Sequence, residues 1–217
     1  MTDFALRRTM MVDTQVRPSD VTKYPIIEAM LAIPREVYLP EASREAAYVG
    51  ENLAIGADRV VLEARTLAKM LDALDIQPEE RVLDLGCGMG YSTAVIARLA
   101  GEVVAVEADD ALAAAARRTL AAEGVTNAVV RVAPLATGAA ADGPFDVITV
   151  QGAIEQLPEA VAAQLKEGGR IGALFMEGAL GSCRIGHKID GVVAWRFAFN
   201  ASAPVLAGFA TRRAFVL

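Results

Sequence analysis

Apolar and polar positions along the chain follow two different periods, one before residue 76 and one after residue 80. In the first part apolar residues recur at helical spacing through residues 4–16, 25–32 and 62–74. In the last of these Leu67, Met70, Leu71 and Leu74 mark one face. Pro18-Ser19-Asp20 interrupts the pattern, with Ser19 or Asp20 placed to cap the next turn. Residues 1–76 are thus expected to form a helical cover.

From Glu80 onward short β-branched runs (81–85, 103–107, 128–132, 145–150 and 170–175) alternate with helical stretches at 91–100, 111–123 and 158–165. Strands separated by helices predict crossover connections, and so a doubly wound α/β fold with a mostly parallel sheet covered on both faces. The stretch 165–170 reads as a helix end, a glycine turn and a new strand. After Phe175 the alternation stops. Residues 183–189, 192–199 and 211–217 read as strands without intervening helices, which places antiparallel strands at one edge. The expected organisation is residues 1–76 packed onto a ligand-binding domain at 77–217, the two forming one compact unit.

Composition narrows the chemistry. The 217 residues are 54% apolar and 22% charged, a globular balance for one full domain with an extension. The formal charge of −6 opposes binding to phosphate backbones, and no basic stripe interleaves with aromatics, so nucleic acid is not expected as a partner. No apolar run reaches the roughly 18–20 residues that span a bilayer. The amino terminus mixes charges into its apolar positions and does not read as a signal peptide, which predicts a cytoplasmic location without membrane attachment. Two cysteines and one histidine are too few for a typical zinc site or a disulfide framework, so no metal is expected. His187 reads as an exposed strand residue near a turn, and no nucleophile elbow accompanies it.

The most informative stretch is Val82-Leu83-Asp84-Leu85-Gly86-Cys87-Gly88-Met89-Gly90-Tyr91, in which an apolar strand runs through three alternate glycines into a helix. Such glycines let the backbone turn sharply and let a ligand approach where a Cβ would stand. The third glycine falls one residue earlier than in the dinucleotide fingerprint G-x-G-x-x-G. Asp84 would repel a pyrophosphate but suits an ammonium group. S-adenosylmethionine carries an amino acid end, a sulfonium and a ribose but no phosphate, and it fits D-x-G-x-G-x-G better. Glu107, expected at the end of the next strand, is placed to accept hydrogen bonds from both ribose hydroxyls. The candidate cofactor-binding residues are Asp84, Gly86, Cys87, Gly88, Gly90, Glu107, the adjacent Ala108, and Gln151, which follows a third strand and would open onto the same cleft. Asp146 reads as structural.

Together these residues resemble the class I S-adenosylmethionine-dependent methyltransferases, and more narrowly the protein-L-isoaspartate O-methyltransferase family. The narrower resemblance rests on Met11-Val12, Glu28-Ala29-Met30, Ile33-Pro34-Arg35, Tyr38-Leu39-Pro40-Glu41, Ala47-Tyr48, Leu53-Ala54-Ile55-Gly56 and the run 90–99. It implies a Rossmann-like sheet, S-adenosyl-L-methionine as cofactor, and methyl transfer to the side carboxylate of isoaspartyl residues in damaged proteins. A carboxylate is already nucleophilic at neutral pH, so the reaction asks for positioning rather than a general base.

Two departures from the family pattern stand out. Where the family carries G-Q-T-I-S-Q-P, this chain has Asp58-Arg59-Val60-Val61-Leu62-Glu63-Ala64, with Leu62 at the serine position and Glu63 where glutamine is usual. Where the family has G-D-G beside the adenine, it has Ala133-Pro134-Leu135. Arg59, Leu62, Glu63 and Arg65 are the acceptor-side candidates. Glu63 would repel a carboxylate substrate unless Arg59 or Arg65 neutralises it. The plainer reading is a row of solvated charges. Three outcomes stay open: isoaspartyl methylation of a protein or peptide substrate, methylation of a small-molecule acceptor, and a non-catalytic cofactor-binding module. Oligomeric state is not set by the sequence.

Overall fold

The computed structural model describes residues 3–211. Its main sheet has seven strands in the order β5-β4-β3-β6-β7-β8-β9. These are β3 (Arg81–Leu85), β4 (Glu102–Glu107), β5 (Ala128–Val132), β6 (Phe145–Ile154), β7 (Leu165–Glu177), β8 (Leu180–Ile189) and β9 (Val192–Asn200). Strands β3 to β7 pair in parallel and β8 and β9 antiparallel, so the doubly wound α/β sheet and its antiparallel carboxyl-side edge agree with the sequence reading. The expected strand at 211–217 lies outside the described residues, except for Thr211, which belongs to no strand.

The helices are α1 (Phe4–Met11), α2 (Tyr24–Ala32), α3 (Ala64–Leu74), α4 (Tyr91–Ala97), α5 (Asp110–Ala122) and α6 (Glu159–Ala162). Helix α3 buries Leu67, Met70, Leu71 and Leu74, the face marked by its spacing. It lies so close to β7 that a Cβ on Gly172 would stand 2.8 Å from Met70 Cγ, and the close approach therefore requires glycine. One apolar core cluster takes in Met11, Val16, Ile27 and Met30 from the amino-terminal helices together with Val82, Val95 and Leu174.

Several local expectations are corrected. Residues 1–76 are not helical throughout, because β1 (Leu53–Gly56) and β2 (Arg59–Val61) form a separate antiparallel hairpin. Neither Ser19 nor Asp20 caps α2: Ser19 Oγ donates back to Gln15 O at 2.8 Å, and Asp20 takes a left-handed φ of 64°. Strand β6 continues past Val150, so Gln151 lies inside it and not beyond its end. The glycine turn expected at 165–169 is instead the opening of β7, where the register against β6 shifts and Gly168 has φ 76°. Leu165 pairs with Phe145 there, and tertiary pairing overrides the local turn signal.

Candidate functional site

The chain leaves β3 for α4 through residues 86–90, and all three glycines of this loop have positive φ: 79° at Gly86, 57° at Gly88 and 98° at Gly90. The amides of Gly86 and Cys87 donate to Val106 O at 2.8 and 3.3 Å, which pins the loop to the end of β4. The strand order reverses between β3 and β6, and the crevice beyond their carboxyl ends is where open α/β sheets bind ligands.

Asp84 is fully buried and faces inward beneath the loop. Its carboxylate accepts hydrogen bonds from Ser92 Oγ and Thr93 Oγ1, both 2.7 Å, and from Thr149 Oγ1 and Gln151 Nε2, both 2.8 Å. The arrangement follows from register: Thr149 pairs with Asp84 across β3 and β6, Gln151 lies two residues on along the same strand face, and Ser92 and Thr93 open α4. Burial pushes the Asp84 carboxyl above its ordinary range, and the four donors pull against it. An acid with four donors in place is a support for the loop. Ser92, Thr93 and Thr149 were not among the sequence candidates, because a buried hydroxyl leaves no mark in hydrophobic periodicity.

Glu107 ends β4 and is 1% exposed. Its Oε2 accepts from Gly88 N at 2.7 Å, and its Oε1 from Ala108 N at 2.8 Å and Asp109 N at 3.2 Å. From the end of β4 the carboxylate thus faces the glycine loop. Ala108 is itself exposed and contributes its amide to holding Glu107.

The acceptor-side candidates do not converge. Arg59 crosses the loop from the hairpin: its Nη2 donates to Gly86 O at 2.8 Å and forms an ion pair with Glu107 Oε2. Leu62 faces inward and lines, with Val60, Val61, Gly86, Cys87 and Gln151, a residual cavity of about 10 Å³. That is room for a single water at most, since one water needs on the order of 10–15 Å³. Glu63 and Arg65 pair with each other at 2.9 Å and line an outer groove of about 830 Å³ between residues 50–52, the start of α3 and the β7–β8 turn. Arg65 is therefore the residue that neutralises Glu63, while Arg59 neutralises Glu107.

Arg35 supports this region from below. It is 1% exposed, stacks 4.6 Å from the Tyr91 ring centroid, and donates to Ala47 O and Leu62 O, both at 2.8 Å. It holds the backbone where the hairpin rejoins α3. Among the described residues no three His, Cys, Asp or Glu side chains gather in a metal-binding group, and no helix is long and apolar enough to cross a membrane. His187 sits partly buried on β8 opposite Arg170, its pKa lowered by burial and by Arg196 and Arg170.

Both cysteines are buried, with thiols pushed up by desolvation: Cys183 to about 12 and Cys87 well above its ordinary value. A thiolate is the reactive form. The folded protein is therefore expected to show no fast-reacting thiol toward Ellman's reagent at pH 8, and two after denaturation. Rapid reaction of one thiol in the native protein would contradict the closed loop.

The family described as protein-L-isoaspartate(D-aspartate) O-methyltransferase matches residues 7–174. A protein-L-isoaspartate O-methyltransferase of Methylorubrum extorquens is 40% identical over 169 residues, covering 78% of this chain and 74% of the relative. Its counterpart in Syntrophus aciditrophicus is 39% identical over 171 residues, covering 79% and 78%. Among solved structures, a protein-L-isoaspartate O-methyltransferase superposes with a TM-score of 0.81 at 24% identity, over 93% of this chain and 66% of that one. Another, from Plasmodium falciparum and in complex with S-adenosyl-L-homocysteine, superposes with a TM-score of 0.78 at 17% identity, over 95% and 99%. At these identities the two structures establish a shared fold.

Proposed function

The chain belongs to the protein-L-isoaspartate O-methyltransferase family, and on that premise we propose that it is an S-adenosylmethionine-dependent methyltransferase acting on the side carboxylate of isoaspartyl residues in proteins. The observation that carries the cofactor half is the pairing of the positive-φ glycine loop after β3 with the buried Glu107 carboxylate at the end of β4, beside the sheet's switch point. Glycines 86 and 88 make a cradle that a Cβ would fill, and a ribose belongs against the two Glu107 oxygens. The bound cofactor supplies an electrophilic methyl group on a sulfonium.

The chain's own residues do the rest. Glu107 and the loop orient the ribose. Asp84, through Ser92, Thr93, Thr149 and Gln151, keeps the loop rigid, and Leu62, Val60 and Val61 exclude water from the reacting centre. The acceptor carboxylate needs no proton removed, which suits a site without a histidine or a reactive thiol. The acceptor enters along the groove beside Glu63 and Arg65. A cytoplasmic protein or peptide substrate, without nucleic acid or membrane, completes this reading.

A second reading is methylation of another acceptor, such as a small carboxylate or hydroxyl compound. Leu62 favours it: the side chain donates no hydrogen bond, and its carbonyl already accepts from Arg35. Incubation with methyl-labelled S-adenosylmethionine, an isoaspartyl peptide and its aspartyl control separates the two. Label on the isoaspartyl peptide alone is the expected result. Calorimetric binding of the cofactor with no ester formed would transfer the assignment to a different acceptor.

A further inference from the structure

The hairpin β1–β2 lies directly on the surfaces assigned above to the cofactor. Arg59 Nη2 bonds to Glu107 Oε2, the oxygen that also receives the Gly88 amide, so the guanidinium stands where a ribose hydroxyl would donate. A Cβ built on Gly86 would be 3.0 Å from Arg59 Nη1, and one on Gly88 would be 2.4 Å from Ile55 Cδ1. The space the glycines open is therefore filled from both sides by the hairpin, and the cavity left beneath it beside Gly86 is about 10 Å³.

We infer that Arg59 is the residue that sets cofactor affinity: its guanidinium latches the hairpin to Glu107, and the cofactor binds by displacing that guanidinium and lifting the hairpin. This rests on the S-adenosylmethionine reading of the site.

The latch is built to release. Arg59 Nε and Nη1 are buried without a hydrogen-bond partner, so the closed position leaves donors unsatisfied that opening would return to water. Glu107 keeps its three backbone amides whether or not Arg59 is present. The hairpin itself belongs to a separate two-stranded sheet, and such a ribbon has little stability of its own. Its two feet are stapled together by Asn52, whose Oδ1 accepts from Glu63 N at 2.9 Å and whose Nδ2 donates to Ser202 O at 2.8 Å. With its feet held, the hairpin is able to swing as a unit. Apparent affinity is then the intrinsic affinity reduced by the fraction of molecules in the open form.

The test compares wild type, Arg59→Ala and Arg59→Gln in two measurements. Titration calorimetry with S-adenosyl-L-homocysteine is expected to give a Kd at least about tenfold lower for both variants, a gain of about 1.4 kcal/mol. Maleimide labelling without ligand reads the hairpin directly, because Cys87 lies under Val60 and Val61 while Cys183 reports general unfolding. Faster labelling of Cys87 alone in the variants is the expected result. Equal or weaker binding with unchanged Cys87 labelling would overturn the latch. If no protein binds the ligand, the cofactor reading fails, and unchanged labelling would then reject the latch on independent grounds. Accelerated labelling would keep the latch as a property of the hairpin.

Discussion

Replacing Asp84 by alanine is expected to cost about 3–5 kcal/mol of folding free energy, a large fraction of the roughly 5–15 kcal/mol that a domain possesses. The carboxylate is the shared acceptor of four buried donors, from Ser92, Thr93, Thr149 and Gln151. Alanine leaves the Ser92, Thr93 and Gln151 donors without an acceptor, and an orphaned buried donor costs about 1–3 kcal/mol before relaxation. Thr149 keeps the Leu83 carbonyl, at 3.5 Å, which is why the sum falls short of four full penalties. Urea titration should show a lower midpoint at unchanged slope. Asp84→Asn keeps one acceptor oxygen and presents an amide to hydroxyls that can turn and accept, so its loss should be nearer about 1 kcal/mol. An alanine variant as stable as wild type would mean that the cluster holds nothing together.

The same pair of variants carries a pH signature. Burial raises the Asp84 carboxyl above its unfolded value in the native state. A raised pKa contributes stability that is complete below the unfolded value and is lost as pH climbs through the folded one. Asparagine does not titrate. Its deficit relative to wild type should therefore be largest in acid and shrink as pH rises through that window. A deficit independent of pH would show that Asp84 does not exchange a proton with solvent on folding.

Glu107→Ala is expected to weaken S-adenosyl-L-homocysteine binding at least about 100-fold. Two hydrogen bonds from ribose hydroxyls to an ionised acceptor contribute about 1.5–3 kcal/mol each, and a 100-fold loss corresponds to about 2.7 kcal/mol. The substitution also frees Arg59, so its effect on the hairpin has the opposite sign to its effect on affinity. Cys87 should label faster in Glu107→Ala, as in Arg59→Ala, while binding falls in the first and rises in the second. Calorimetry and maleimide kinetics on the two single variants and the double variant give the coupling between the residues. Affinity preserved in Glu107→Ala would remove the ribose contact from the site.

The distribution of period-2 and period-3.6 segments was sufficient to establish the layered parallel sheet, its antiparallel edge and the place of the glycine loop. These properties are local. A strand–glycine–helix transition and an acid at the next strand end are read from neighbours in sequence, and backbone geometry then carries them to one crevice. The sequence also named Asp84 and Glu107 as cofactor-side candidates and Arg59 as an acceptor-side candidate, with a solvated charge as the plainer reading of Arg59.

What each of these side chains touches was decided only by tertiary structure. Asp84 accepts from α4 and from β6, the latter 65 and 67 residues away, and nothing near it in the sequence names those partners. Arg59 meets Glu107 across 48 residues, through a hairpin whose short strands carry too little alternation to stand out from the helical segments around them. The Glu63–Arg65 pair turned outward because the chain enters α3 between them, and α3 presents its apolar face to the core. Periodicity records which face of an element is buried. The partner that a buried charge finds is set by register and crossover between elements far apart in the chain, and no local pattern encodes it.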